Sequence, residues 1–179
     1  MGMYVGLLRA VNVGGQKVAM ADLRNMVAGL GFERVKTLLN SGNVVFDAKA
    51  RDTAALEDEL EAECAKQLEV RTDFMVRNAG DWDEAIDHNP FLEESESDPG
   101  HVVLVCLKAT PQADQVEQLQ TDIIGREVIK AQGRNLYVHY KDGIGASRLT
   151  MPFIEKRLAT RGTGRNWNTV LKIAELLGS

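Results

Sequence analysis

What most constrains the fold of this chain is the order of elements over residues 1 to 78: strand, helix, strand, tight turn, strand, helix, strand. Met3 to Val11 alternates bulky residues as a half-buried strand does, and runs into the loop Asn12-Val-Gly-Gly-Gln-Lys17. Met20, Leu23, Val27 and Leu30 then recur at helical spacing from about Ala19, and Gly31 ends the helix. Arg34 to Leu39 and Asn43 to Asp47 read as two strands joined by the turn Asn40-Ser-Gly42. Asp52 or Thr53 caps a long acidic helix to about Leu68, and Arg71 to Arg77 is the fourth strand. This order predicts a β-α-β-β-α-β, ferredoxin-like half over residues 1–78.

A short helix, Gly80 to Asp87, leads into Asn-Pro-Phe-Leu-Glu-Glu-Ser-Glu-Ser-Asp-Pro-Gly, so residues 79–100 read as a helix and an acidic connection. From residue 101 the pattern starts again. His101 to Leu107 is apolar on both faces and predicts an interior strand. A helix opened by Pro111 runs to about Ile123, and Glu127 to Ala131 forms a hairpin with Asn135 to Tyr140 around Gly133-Arg134. Thr150 and Pro152 start a helix to Ala159, and a last helix runs from about Asn166 to Leu177. The fold class expected is therefore α+β, with a second, related β-α-β-β-α half over residues 101–179 that ends in an extra helix. The halves carry no evident residue-level identity.

In a ferredoxin-like sheet the strand order is fourth, first, third, second. The first and second strands then point the same way, and the loops after them leave at one edge, about 10 Å apart at ordinary strand spacing. Arg9, Asn12, Gly14, Gly15, Lys17, Asn40, Ser41 and Asn43 are expected to meet there. Backbone amides beside two glycines, a lysine and side-chain amides are the parts of an anion or nucleotide cradle, and a helix begins just beyond them. The same residues are also ordinary turn formers, and neither a phosphate-loop nor a dinucleotide fingerprint is present. No cofactor is expected.

A second polar cluster, Thr163-Gly-Arg-Asn-Trp-Asn-Thr169, precedes the last helix. Thr163 or Asn166 can cap that helix, and Trp167, Val170, Leu171, Ala174 and Leu177 make its packed stripe. Arg165 and Asn168 are not needed for either purpose, and a guanidinium at a helix N-terminus suits a phosphate or carboxylate.

Charge sharpens this without deciding it. The chain of 179 residues has net charge −5, yet residues 1 to 36 carry +3, residues 145 to 179 carry +4 and residues 47 to 99 carry −12. The ends suit a basic surface, or simply helix faces of differing sign. Cys64 and Cys106 fall in apolar patterns as buried structural thiols, and His88, His101 and His139 lack ligand spacing, so no metal is expected. No apolar run reaches the roughly 18 residues of a membrane span. Met1 to Arg9 is neither a signal peptide nor a transit sequence, so the expected address is the cytoplasm and no membrane partner is expected.

Tyr4-Val-Gly-Leu-Leu8 resembles the first-strand motif of RNA-recognition folds, which share this topology but stack bases on aromatic residues of the third strand. Here that strand offers Phe46, in core alternation with Val44, while Tyr137 and His139 share a face of a later strand.

Six motifs combine into a more specific likeness. They are Leu7-Leu8-Arg9-Ala-Val-Asn12-Val-Gly-Gly15, Met20-Ala-Asp-Leu-Arg24, Gly31-Phe32, Asn40-Ser-Gly-Asn-Val-Val-Phe46, Asn89-Pro-Phe91 and Arg165-Asn-Trp-Asn-Thr-Val170. In this order, along essentially the whole chain, they resemble the bacterial domain-of-unknown-function 1697 family. The resemblance implies an α+β fold with a ferredoxin-like half and no known activity. It puts Arg9, Asn12, Gly14, Gly15, Ser41, Gly42, Asn43, Arg165, Asn166 and Asn168 on motif positions, and it departs at Ala10, where the family more often has glycine.

Three functional readings compete at this stage. The first is a binding module that holds an anionic ligand, such as a nucleotide, a phosphometabolite or a nucleic-acid backbone, at the Asn/Gly edge and at the front of the last helix. The second is a group- or phosphoryl-transfer enzyme that works by positioning, since Ser41 has no predicted His or acidic partner for a triad. The third is a protein-interaction domain that docks through the acidic helix from Thr53 to Leu68. Sequence does not name the ligand or the oligomeric state.

Overall fold

The computed structural model describes residues 1–10 and 16–178. The first half runs β1 (Gly2–Leu8), α1 (Met20–Gly29), β2 (Glu33–Leu38), β3 (Asn43–Ala48), α2 (Thr53–Gln67) and β4 (Phe74–Asn78). Its sheet has the order β2-β3-β1-β4 with antiparallel neighbours, as the element order predicts. Two helices, α3 (Ala79–Asp87) and α4 (Leu92–Ser97), follow. Then come β5 (Val102–Leu107), α5 (Ala113–Asp122), β6 (Val128–Gln132), β7 (Asn135–His139), α6 (Met151–Leu158), β8 (Gly162–Asn166) and α7 (Trp167–Leu177). The second sheet has the order β6-β7-β5-β8. The chain thus forms two compact units, Met1–Glu84 with Lys172–Ser179, and Ala85–Leu171.

In the first unit, alternation sends Tyr4, Leu8, Val44, Phe46, Phe74 and Val76 to one face of the sheet, where Leu23, Met26 and Val27 of α1 and Leu56, Leu60 and Cys64 of α2 close over them. Each such buried side chain contributes about 1.5–3 kcal/mol. Val5, Leu7, Val45 and Met75, on the alternate positions, are buried as well. Asp52 caps α2 by accepting from the Ala54 N–H at 3.3 Å. The acidic face of α2 also closes an edge. Glu57 accepts from the Val76 N–H and Glu61 from the Phe74 N–H, both at 2.8 Å, so two carboxylates one helical turn apart satisfy donors on the outer strand β4.

The second unit repeats the plan, and β8 completes it. Residues 162–166 read in the sequence as the approach to the last helix, because Gly-Thr-Gly-Arg-Asn has little strand character of its own. Pairing with β5 makes them a strand. A Cβ at Gly162 would meet Leu107 Cδ2 at 2.8 Å and the Cys106 carbonyl at 3.1 Å, and one at Gly164 would meet Val103 Cγ1 at 3.0 Å. The glycines give room to the valines and leucine of β5.

The acidic connection is also more ordered than its composition suggests. Asn89 is buried, its side chain donating to Ser95 Oγ at 2.6 Å and accepting from the Phe91 N–H at 3.0 Å, so Asn-Pro-Phe starts α4 rather than a loose linker.

Candidate functional site

In the first unit the end of β1 and the β2–β3 turn do meet. The Leu8 N–H donates to the Gly42 carbonyl at 2.9 Å, and Leu7 lies across from Asn43 in the ladder. Next along the chain, the Arg9 N–H donates to the Asp73 carbonyl at 3.0 Å and Thr72 Oγ1 donates to the Arg9 carbonyl. The end of β1 is therefore held to the turn through Leu8 and to the residues before β4 through Arg9.

The turn needs left-handed backbone at Leu39 (φ +57°) and Gly42 (φ +80°). Asn43 explains how it is kept. Its side chain is buried, and Nδ2 donates to the Leu38 carbonyl and to Ser41 Oγ, each at 2.9 Å. Asn43 thus works on the hairpin itself. Lys17, Asn40 and Ser41 are exposed and Arg9 is half-buried. Asn12, Gly14 and Gly15 lie outside the described residues. Beyond that loop, α1 starts at Met20 with Ala19 as its N-cap and no side-chain cap among the described residues, although Asp22 places one negative charge in its first turn.

Ala10 has φ +50°, the region glycine enters without strain. A glycine at this position would adopt that conformation without strain.

In the second unit Arg165 lies on β8 and is buried, where Nη1 donates to Thr163 Oγ1 at 2.7 Å and to the Gly164 carbonyl at 2.9 Å. Burial lowers its pKa to about 10. Asn166 accepts from the Thr169 N–H at 3.1 Å and so caps α7, while Asn168 is exposed. The fold therefore uses Arg165 and Asn166 internally and presents Asn168.

Sequence reasoning missed a counterpart. Arg77 and Asn78 end β4 as Arg165 and Asn166 end β8. Arg77 is opposite Val5 and Arg165 opposite Leu104, the second pair of each ladder. Arg77 Nη1 donates to the Val76 carbonyl at 3.0 Å, and Asn78 accepts from the Asp81 N–H at 2.8 Å to start α3. The repeated dipeptide before a helix was the available signal, hidden because the strand residues ahead of it differ entirely.

The aromatic rings are spent on packing. Phe46 stacks between Tyr4 and Phe32, with centroids 5.8 and 4.9 Å away, and Tyr4 OH is bonded to the backbone of Arg51. Tyr137 is buried with its OH donating to the Ala85 carbonyl at 2.6 Å, and His139 rests on Phe91. None of these rings forms an open platform for bases. Cys64 and Cys106 are both buried and free of disulfide, and burial pushes the Cys64 thiol up to about 11. Among the described residues no group of three His, Cys, Asp or Glu is placed to hold a metal ion, and no helix is long and apolar enough to cross a membrane.

A family model described as a protein of unknown function, DUF1697, matches residues 1–137. The chain belongs to this family. The DUF1697 match spans the whole first unit's sheet and reaches into β7. The solved structure of conserved bacterial protein SP0830 from Streptococcus pneumoniae is similar over 98% of this chain and 98% of that chain, with 26% identity and a TM-score of 0.76. The α+β architecture of this DUF1697 chain therefore recurs in full in that protein. No curated protein matches the chain significantly.

Proposed function

We propose that this DUF1697 chain is a bacterial, cytoplasmic binding module that holds an anionic ligand at the polar edge of its first unit. The ligand class is a nucleotide, a phosphometabolite or a nucleic-acid backbone. The observation that carries this reading is the bond from the Leu8 N–H to the Gly42 carbonyl, which brings the residues leaving β1 beside the turn bearing Asn40 and Ser41. Arg9 and Lys17 supply positive charge to the loop that leads from there to α1. The uncapped start of α1 adds backbone donors. Arg165 and Asn166 enter this proposal as framework, because their polar atoms already serve β8 and α7. Asn168 is the residue of that cluster with an exposed amide.

The test is a thermal-shift screen against nucleotides, sugar phosphates, polyphosphate and short DNA and RNA, repeated with Arg9→Ala and Lys17→Ala. A ligand at 100 times its dissociation constant adds about 2.7 kcal/mol, which moves the midpoint by several degrees. A shift in the parent that both variants lose supports the reading. Full retention of the shift in the double variant ends it.

A further inference from the structure

Glu127 stands immediately before β6 with 8% of its surface exposed, and its two carboxylate oxygens are treated very differently. Oε1 accepts from the Ser147 hydroxyl, which itself accepts from the Leu149 N–H at 3.0 Å. Oε2 has no hydrogen-bond partner among the described residues. A buried carboxylate oxygen without a donor costs free energy that the fold could have avoided with an apolar residue. The site is also held in place. Gln120 binds the backbone on both sides, donating to the Glu127 carbonyl at 3.2 Å and accepting from the Ile129 N–H at 2.9 Å. At Gly125 even a methyl group would reach 2.2 Å from Oε2.

Glu127 lines two hollows of the second unit. The larger, about 190 Å³, also has Ser147, Ala146 and Arg148 in its wall, and far exceeds the ~10–15 Å³ that one water requires. The smaller, about 30 Å³, is lined by Ile123, Leu149 and Phe153 and is mainly apolar. Arg148 borders both, exposed, with no hydrogen bond or ion pair from its guanidinium among the described residues. The other acid of the larger hollow, Asp142, is taken up by Arg126, whose Nε donates to Oδ2 at 2.9 Å. Three features remain open: a buried acceptor, an unengaged guanidinium and a small apolar recess.

We propose that this place binds a small amino acid with an apolar side chain, its ammonium group on Glu127, its carboxylate on Arg148 and its side chain in the recess of Ile123, Leu149 and Phe153. An ammonium group supplies the donor that Oε2 lacks, and a carboxylate pairs with guanidinium in fork geometry. The small recess selects a side chain of valine size over a large aromatic one. The site is separate from the polar edge of the first unit and stands or falls independently of it.

The experiment is a titration of the full chain, followed by amide NMR, with L-valine, isobutylamine and isobutyrate in parallel. Saturable shifts of the Gly125 and Ser147 amides are expected with L-valine, weaker ones with isobutylamine and none with isobutyrate. Glu127→Gln should weaken valine binding at least about tenfold. Arg148→Ala, on an exposed side chain, should weaken valine and leave isobutylamine unchanged. No saturable shift of these amides with L-valine in the parent, with water alone on Glu127 in a crystal soaked in valine, overturns the proposal. So does equal binding of isobutyrate.

Discussion

The fourth strands of the two units, β4 and β8, solve one problem with opposite residues. Both end in Arg-Asn, both hand over to a helix capped by that asparagine, and both have their first N–H held by a glutamate of the preceding helix. Glu61 accepts from Phe74, and Glu155 accepts from Gly162 at 3.2 Å. Yet β4 is Phe-Met-Val before its Arg-Asn, and β8 is Gly-Thr-Gly. The registers show why this works. Gly6 of β1 faces Val76, while Val105 of β5 faces Gly164. In the first unit the bulk lies on the outer strand and the gap on its inner neighbour, and a Cβ at Gly6 would come within 3.4 Å of Phe74. In the second unit bulk and gap are exchanged. At this rung one strand of the pair carries the bulk and its neighbour the gap.

This comparison can be broken most directly at Phe74. Phe74→Ala removes the bulk that Gly6 accommodates and should cost about 3–5 kcal/mol in urea unfolding. Gly164→Val adds bulk where a Cβ would already stand 3.0 Å from Val103 Cγ1, and should cost about 1–3 kcal/mol. If Gly164→Val were neutral, the exchange of bulk between strands would be wrong.

The edge carboxylates give the next effect. Glu57→Ala leaves the Val76 N–H buried and unmet and should cost about 1–3 kcal/mol. Glu155→Ala, at a longer and less buried bond, should cost less by the same measurement.

Alkaline pH separates the units in another way. Burial raises Tyr137 and Tyr140 to about 12 and Cys64 to about 11. These groups keep their protons in the folded state while the unfolded chain loses them, so their contribution is full below about pH 9 and is lost as pH rises toward 12. Arg165, lowered to about 10, acts oppositely above that pH, because the unfolded chain then binds the extra proton. Urea midpoints measured from pH 8 to 11 should fall, and Tyr140→Phe should flatten the fall.

The paired caps come next. Asn78→Ala and Asn166→Ala should each cost about 0.5–2 kcal/mol, and unequal costs would show that the two helix starts are not equivalent. The smallest effect is at Ala10, where Ala10→Gly relieves a left-handed residue and should stabilise by up to about 1 kcal/mol in thermal unfolding.

The sequence by itself determined what depends on neighbours along the chain. Alternation at Met3 to Leu8, helical spacing from Met20 and the Asn40-Ser-Gly42 turn were enough for the first sheet and its strand order. The meeting of β1's end with that turn followed from the topology. Tertiary structure decided what depends on a partner distant in sequence. Gly162 to Asn166 has little strand propensity and becomes a strand through β5. Arg165 reads as a surface cation and is buried, because its position in the β8 ladder sets which way it faces. Asn43 reads as a ligand contact and is a hairpin clamp. The acidity of α2 reads as a docking face, and within the fold Glu57 and Glu61 close the edge of β4. Glu127 gave no signal at all, since a lone glutamate before a strand is ordinary until the chain returns with Ser147 and Arg148 beside it. A pattern read along the chain carries local conformation, whereas burial and the pairing of polar atoms are set by contacts across it.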